Sequence, residues 1–574
     1  MTVDRCLRIP LLLIFLLGTR CLWAGDWPTF AHDPQRTGWA SDEKTLSLSN
    51  VGDLELKWKV HVNNEPKALT SLTAPVVASG VATQTGVKTI VYVAGSSNHL
   101  FALDAGSGKL IWSREFESYA KPVNPDFWLC PQGINATPVI DKSTRTIYEI
   151  AMDGRLFGLD LGTAAVKFGP TQFVPPFSKN WSLNLVDGEV YTSTSQGCGG
   201  AQSGIYSMDI RDPLRPFTRE FLVLEQGGGI WGRGGPAIGL DDRIFVATGD
   251  GLSDPARGEF GSSVVAATSG DLGLADYFMP RNSDYLTKED LDFGSGSPVW
   301  FRYRNYKLIC VGGKEGVLYM LDASSLGGKD HHTPLAATAM LANDSANFEG
   351  EGIWGAPSIW KDMSRRETWV YVPVWGPISK HAPRFPVTHG DHPHGCIMAF
   401  KVTMSVVSLA HADSRYQQKN EDNLGPRPLG GGAQRRVRGS VRNFGTWPTL
   451  QPVWISGDFN LPEPVAIANG VVFALSTGEN PNQVTADSGT PAHPGYTILT
   501  NAQRTQNTAH AILYALDART GKELYNSGDA ITGWTHFSGL AVADGRVYVV
   551  DHDSNVYCFG LPSERERNAS HGRN

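Results

Sequence analysis

Apolar residues along this chain fall in short runs rich in Val, Ile and Tyr, each broken by Gly, Asp or Asn. Such runs, bounded by turn residues, predict β-strands joined by tight turns. No stretch sustains an amphipathic period of 3.6, so the chain reads as all-β. The strands recur as a unit: a Pro or small residue leads an apolar run, a turn and a second strand follow, and after a Gly-rich loop a third strand ends in Leu-Asp or its equivalent. Copies begin at APVVASG (74–80), TPVIDKSTRTIYEIAMDGRLFGLDLG (137–162), LNLVDGEVYTSTS (from 183) and PAIGLDDRIFVATGDG (236–251). The others begin at SPVWFRYRNYKLICVGGKEGVLYMLDAS (297–324), PSIWKD (from 357), VAIANGVVFALSTG (from 465) and GLAVADGRVYVVDHDSNVYCFG (539–560). Eight copies of a four-stranded unit predict an eight-bladed β-propeller, which removes exposed sheet edges by closing into a ring.

The last copy is one strand short. Residues 54–60 (LELKWKV) alternate apolar and charged positions and belong to no copy. They are expected to complete the eighth blade and tie the termini together. The phrase LFALDAGSGKLIW (100–112) and its twin ILYALDARTGKELY (512–525) have a mechanical reading. A buried strand meets an Asp-capped, Gly-containing turn, and Trp112 on the outer strand packs toward the next blade. The run 410–447, rich in Gly, Arg and Asn, reads as an excursion between blades 6 and 7.

Arg5 and Arg8, the apolar run 9–17 and Ala24 form the pattern of a cleaved secretory signal peptide, residues 1–24, which places the protein in the periplasm or outside the cell. Cys21 raises a lipoprotein alternative that Arg20 fits poorly. The propeller is assigned to 25–562 as one domain, with 563–574 a disordered polar tail and no stretch long enough to span a membrane. Losing three arginines and one aspartate with the leader takes the net charge from −7 to −9, which argues against a nucleic-acid partner. Of the five remaining cysteines, Cys130 and Cys198 lie in Gly-rich loops and are the best candidate pair, while Cys310 and Cys558 read as buried small hydrophobes. There is no CxxCH, so no covalent haem is expected, and no nucleophile elbow, P-loop or dinucleotide fingerprint is present.

The phrases ALDAGSGKLIW and YALDARTGKELY, with DWPTFAHDPQRTG at 26–38, resemble the pyrroloquinoline quinone (PQQ) repeat, or quinoprotein alcohol dehydrogenase-like, propeller family. The resemblance covers nearly the whole mature chain and implies a quinone and Ca²⁺ in a central funnel. Trp231 in GGGIWGRGG is similar to the family's floor tryptophan, Asp250 in ATGDG stands where a metal-ligating asparagine is usual, and KEDLDFGSGSPVW resembles the segment of the catalytic aspartate. Asp290 is the first choice for that base and Asp292 the second. Lys314 in GGKEG matches the basic residue that contacts the quinone, and Trp354 is a further cofactor-binding candidate. The resemblance implies a dehydrogenase that oxidises an alcohol or sugar and passes electrons to an external acceptor.

Each candidate also has a structural alternative. Trp231 could pack between blades, Asp290 and Asp292 could cap a turn, and Lys314 could be a solvated turn residue. The chain also departs from the family. Residues 192–208 carry no acid where a glutamate ligand is expected, SLTAPVV lacks another glutamate, and adjacent cysteines are absent. Those departures favour a second class of function, a non-catalytic propeller that binds a protein partner or serves envelope assembly with a degenerate site. His389, His392 and His394, with Asp391 between them, form a separate candidate transition-metal cluster or simply a polar loop.

Overall fold

The computed structural model describes residues 25–67, 69–122, 129–224, 227–408, 444–489 and 494–563. The proposed leader and nearly all of the polar tail therefore lie outside the described residues. The chain is an all-β propeller of eight four-stranded blades arranged around an axis. Blade 1 is typical: Val76–Thr83, Gly86–Gly95, His99–Asp104 and Leu110–Glu115 pair antiparallel in chain order, innermost strand first. The eighth blade is built from both ends of the chain. Glu55–His61 pairs antiparallel with Asn555–Gly560, outside Arg546–Val550 and Leu540–Ala543. This is the closing strand that the alternation at 54–60 predicts.

Blade 6 corrects one expectation. Its third strand, Gly395–Ser408, pairs from Met398 to its end with Phe444–Ile455. The 410–447 excursion therefore does not separate blades 6 and 7. It leaves from the third strand of blade 6 and returns into the fourth. Residues 444–447 are already strand, and the remainder lies outside the described residues. Pro448 and Pro452 hid this strand; it accepts proline because its outer side pairs with Val387–Thr388 only at Trp454 and Ile455 and is an open edge at both prolines.

Apolar side chains from facing sheets fill the space between blades. Between blades 1 and 2, for example, Val76, Tyr92 and Ala102 meet Ile147, Phe157 and Leu159. The repeated phrase adds a directed contact. Asp104 accepts from the Ser107 N–H and caps the turn (2.9 Å), while Trp112 Nε1 donates across to Leu161 O in blade 2 (2.9 Å). Trp58 Nε1 likewise donates to Ala105 O, and Trp454 Nε1 to Ala518 O, both at 3.0 Å. Gly108 and Gly521 have φ of +69° and +72°, and a Cβ on either would lie 2.8 or 2.5 Å from the docked indole. Glycine thus serves both turn and docking there.

A strap formed by residues 27–40 runs round the axis. Val77 N donates to Trp27 O, Ile140 N to Pro28 O, Ile238 N to Pro34 O and Trp300 N to Gln35 O. Ile359 N donates to Thr37 O and Ile467 N to Gly38 O. Each donor is the second residue of an inner strand, in blades 1, 2, 4, 5, 6 and 7. Blade 3 is held by Thr29 Oγ1 on Leu183 O (2.7 Å), and blade 8 by Gly545 N on Glu43 Oε2 (2.8 Å). Arg36, fully buried, places all five N–H groups: on Thr29 Oγ1 and on the carbonyls of Phe30, Ser182, Leu183 and Pro236.

Candidate active site

Two sets of loops open on one face of the ring, those entering the inner strands and those between the second and third strands. Together they enclose a funnel of about 460 Å³. Among its lining residues are Trp231, Asp250, Asp290, Asp292, Lys314 and Trp354. These come from separate stretches of blades 4, 5 and 6, and the fold brings all six together.

Asp292 is the centre of the acid group. Its Oδ1 accepts from the Asp250 N–H (2.7 Å) and its Oδ2 lies 2.7 Å from Lys314 Nζ. Lys314 Nζ also donates to Asp290 Oδ1 (3.1 Å) and Asp290 O (3.0 Å). Burial alone would raise Asp292, but the Lys314 charge and these hydrogen bonds outweigh it and hold its carboxyl at about 2. Burial and the facing charge of Asp292 push Asp250 up to about 7. The same two causes push Asp290 up to about 8, although half of its side chain (52 %) is reachable from the opening. Burial would lower Lys314; the charges of Asp292 and Asp290 raise it instead. The group thus keeps Asp292 ionised and stores a proton on its neighbours near neutral pH.

An aromatic floor lies beside the acids. Trp231 meets Trp354 edge-to-face (5.5 Å between rings), and Trp354 stacks on Trp375 (4.6 Å, 6°). Lys314 Nζ sits 5.5 and 5.2 Å from the Trp231 and Trp354 rings, within cation–π range. Both indoles are nearly buried.

The opposite wall carries residues that sequence reasoning missed. Arg233 pairs with Glu463 (3.6 Å) and lies on the Phe537 ring, and Glu479 pairs with Arg504 (3.7 Å) and His536 (2.8 Å). Lys179 Nζ donates to Leu129 O (2.9 Å). Burial, with Arg233 and Arg504 nearby, pushes Lys179 down to about 7. Burial raises Glu479 to about 7 against the pull of Arg504 and Arg233. These residues form no recurring motif, so no spacing announced them. The one available signal was Arg233, a charge inside the Gly-rich stretch that carries Trp231.

The remaining candidates lie apart. His389 Nε2 is 2.8 Å from Thr520 O, His392 Nε2 is 2.5 Å from Ser456 O, and His394 Nδ1 is 2.7 Å from Asp458 Oδ2. The three imidazoles address three different partners. Among the described residues no group of three or more His, Cys, Asp or Glu side chains is arranged to hold a metal ion. Cys130 and Cys198 form a disulfide beside the funnel, next to the lining residue Leu129. Cys310, Cys396 and Cys558 are buried and free.

These residues suit a planar, carboxylate-bearing quinone: an indole face for the ring system, and Lys179, Arg233, Arg504 and Lys314 around the cavity for the acid groups. They do not suit a divalent cation, because the Lys314 ammonium already sits 2.7 Å from the central carboxylate and no three His, Cys, Asp or Glu side chains among the described residues are arranged to hold a metal ion.

Residues 27–196 match the family described as the PQQ glucose/ethanol/alcohol dehydrogenase β-propeller domain. A quinohemoprotein alcohol dehydrogenase, ADH IIB of Pseudomonas putida, is 24% identical over 328 residues, 49% of this chain and 44% of that protein. The chain thus spans less than half the length of that curated relative. Among solved structures, the quinohemoprotein alcohol dehydrogenase of Comamonas testosteroni aligns over 94% of this chain and 81% of its own, with TM-score 0.53 and 15% identity. A europium-containing methanol dehydrogenase aligns over 94% and 98%, with TM-score 0.55 and 13% identity. At these identities the structures share the fold. No helix among the described residues is long and apolar enough to cross a membrane.

Proposed function

From the premise that this chain is a PQQ-repeat propeller related to the quinoprotein alcohol dehydrogenases, we propose that it is an exported dehydrogenase. It oxidises a small alcohol or sugar at the funnel and passes the electrons to an external acceptor. The observation that carries this reading is the meeting of Trp231, Asp290, Asp292 and Lys314 in one cavity beside a cationic wall. A cavity of this size lies within the range of about 300–1,000 Å³ usual for small-molecule sites.

Trp231 and Trp354 offer the aromatic surface, and Lys179, Arg233 and Arg504 offer cations for the ligand's acid groups. A quinone bound there supplies the two-electron acceptor. Asp290 stands at the open side of the acid group, where a substrate hydroxyl can reach it, and in its ionised form it accepts the hydroxyl proton. Asp292 is a positioning residue: it fixes Lys314 and the Asp250 backbone and keeps the Asp290 proton affinity near neutrality. The near-buried indoles and Phe537 keep bulk water from the inner end of the funnel.

The test is reconstitution of the purified chain with PQQ, with and without Ca²⁺, followed by quinone absorbance and dye reduction over a panel of alcohols and sugars. Bound quinone with substrate-dependent dye reduction supports the reading. Absence of bound quinone at micromolar cofactor removes it.

A further inference from the structure

We propose that Lys314 takes the place of a metal ion in this funnel, so that the site binds its ligand without a divalent cation. The inference deepens the dehydrogenase reading and rests on it for the identity of the ligand, though the claim about the cation stands on the acid group itself.

Three carboxyl groups gathered at Asp250, Asp290 and Asp292 need a positive centre. Lys314 supplies one from the turn between the second and third strands of blade 5. Its ammonium has three donors, and the three acceptors around it are Asp292 Oδ2 at 2.7 Å, Asp290 O at 3.0 Å and Asp290 Oδ1 at 3.1 Å. The aromatic faces of Trp231, Trp354 and Phe348 lie 5.5, 5.2 and 5.9 Å away. The backbone is pinned as well: Lys314 N donates to Asp292 O (3.1 Å) and Lys314 O accepts from Asn343 Nδ2 (2.6 Å). Only 5% of the side chain is exposed. A lysine held on every side is a built-in cation rather than a wandering surface charge.

Ca²⁺ requires six to eight oxygen ligands at roughly 2.3–2.6 Å. Asp292 could serve only by sharing a carboxylate with the ammonium, which sets two positive centres against each other. Blade 3 offers no acid over residues 192–208, and Cys198 in that loop is bonded to Cys130. The positive centre nearest the Trp231 face is therefore an ammonium, 5.5 Å from that ring.

The test uses the full chain, purified and dialysed against EGTA. Ca²⁺ binding is followed by calorimetry on the wild type and on Asp292→Asn, and PQQ binding by quenching of tryptophan fluorescence in EGTA and in 1 mM Ca²⁺ (about a thousandfold above the micromolar range that defines a sensor-type site). Expected are PQQ affinities within twofold under the two conditions and no Ca²⁺ isotherm that Asp292→Asn removes. Lys314→Gln should weaken PQQ at least tenfold, with Lys314→Arg intermediate. A micromolar Ca²⁺ site in the wild type that is lost in Asp292→Asn overturns the proposal, as does PQQ binding that requires Ca²⁺. If PQQ binds under neither condition the dehydrogenase reading falls, while the Ca²⁺ isotherms still decide the claim about the cation.

Discussion

Replacing Arg36 with Met tests whether the strap is a structural member of the ring or a passive tail. Methionine keeps much of the aliphatic stem but removes five donors from a fully buried position. Leu183 O and Pro236 O keep second donors, Thr29 Oγ1 and Asn184 Nδ2. The carbonyls of Phe30 and Ser182 lose theirs. Two orphaned buried carbonyls at roughly 1–3 kcal/mol each give about 2–6 kcal/mol, a range that contains the roughly 3–5 kcal/mol usual for breaking a buried charged network. For a chain of this length the unfolding entropy is about 1.1 kcal/mol/K, so the melting temperature should fall by about 3–5 °C. Hydrogen exchange is the sharper assay. The amides of Val77, Ile140, Ile238, Trp300, Ile359 and Ile467 all donate to the strap, and 3 kcal/mol corresponds to roughly 100-fold faster exchange through its release. Arg36→Lys, with three donors, should fall between. If Arg36→Met melts and exchanges those amides like the wild type, the strap does not brace the blades.

Four further outcomes follow from the geometry. Asp290→Asn should abolish turnover while fluorescence still reports ligand binding, and the wild-type rate should climb as pH rises through about 8, because the proton-accepting form is the ionised one; a flat profile up to pH 9 contradicts the assignment. Asp292→Asn removes the negative charge that raises Asp290, so that rise should move to lower pH, and a move to higher pH would contradict the effect of the Asp292 charge. Cys130→Ser should cost about 4 kcal/mol, from the chain entropy of a 68-residue closure, read as a lower denaturation midpoint that reductant no longer shifts. Gly521→Ala sets a Cβ 2.5 Å from the Trp454 ring at φ +72° and should cost about 1–3 kcal/mol by thermal melting, whereas Gly80→Ala, with the same backbone sign and open space, should cost less.

The ring was legible because its signal is repeated. Eight turns of the same phrase average out local ambiguity, and strict alternation at 54–60 leaves one partner, the unpaired edge at Asn555–Gly560. Blade 6 was misread where prolines at 448 and 452 masked an outer strand, since composition does not reveal whether a strand has a neighbour on both sides. In the funnel, the acid group could be read because its members lie in contiguous motifs, ATGDG, DLDFG and GGKEG. The ranking of Asp290 over Asp292 rests on the resemblance, with no physical reason visible in the sequence. Two positions apart in sequence, they differ in which one the fold buries: Asp292 turns inward to Lys314, and Asp290, at φ +54°, faces the opening. The charged wall was invisible because Arg233 belongs to blade 4 while Glu463, Glu479 and Arg504 stand singly along blade 7, and they acquire meaning only from closure.

The strap and the closing strand also carry a consequence in time. Residues 27–61 leave the ribosome before any blade exists, yet their partners include Ile467, Gly545 and the strand Asn555–Gly560. For those partners they must wait through the synthesis of four to five hundred residues. The ring therefore closes only when a part of the chain made early meets the part made late, at the pairing of Glu55–His61 with Asn555–Gly560.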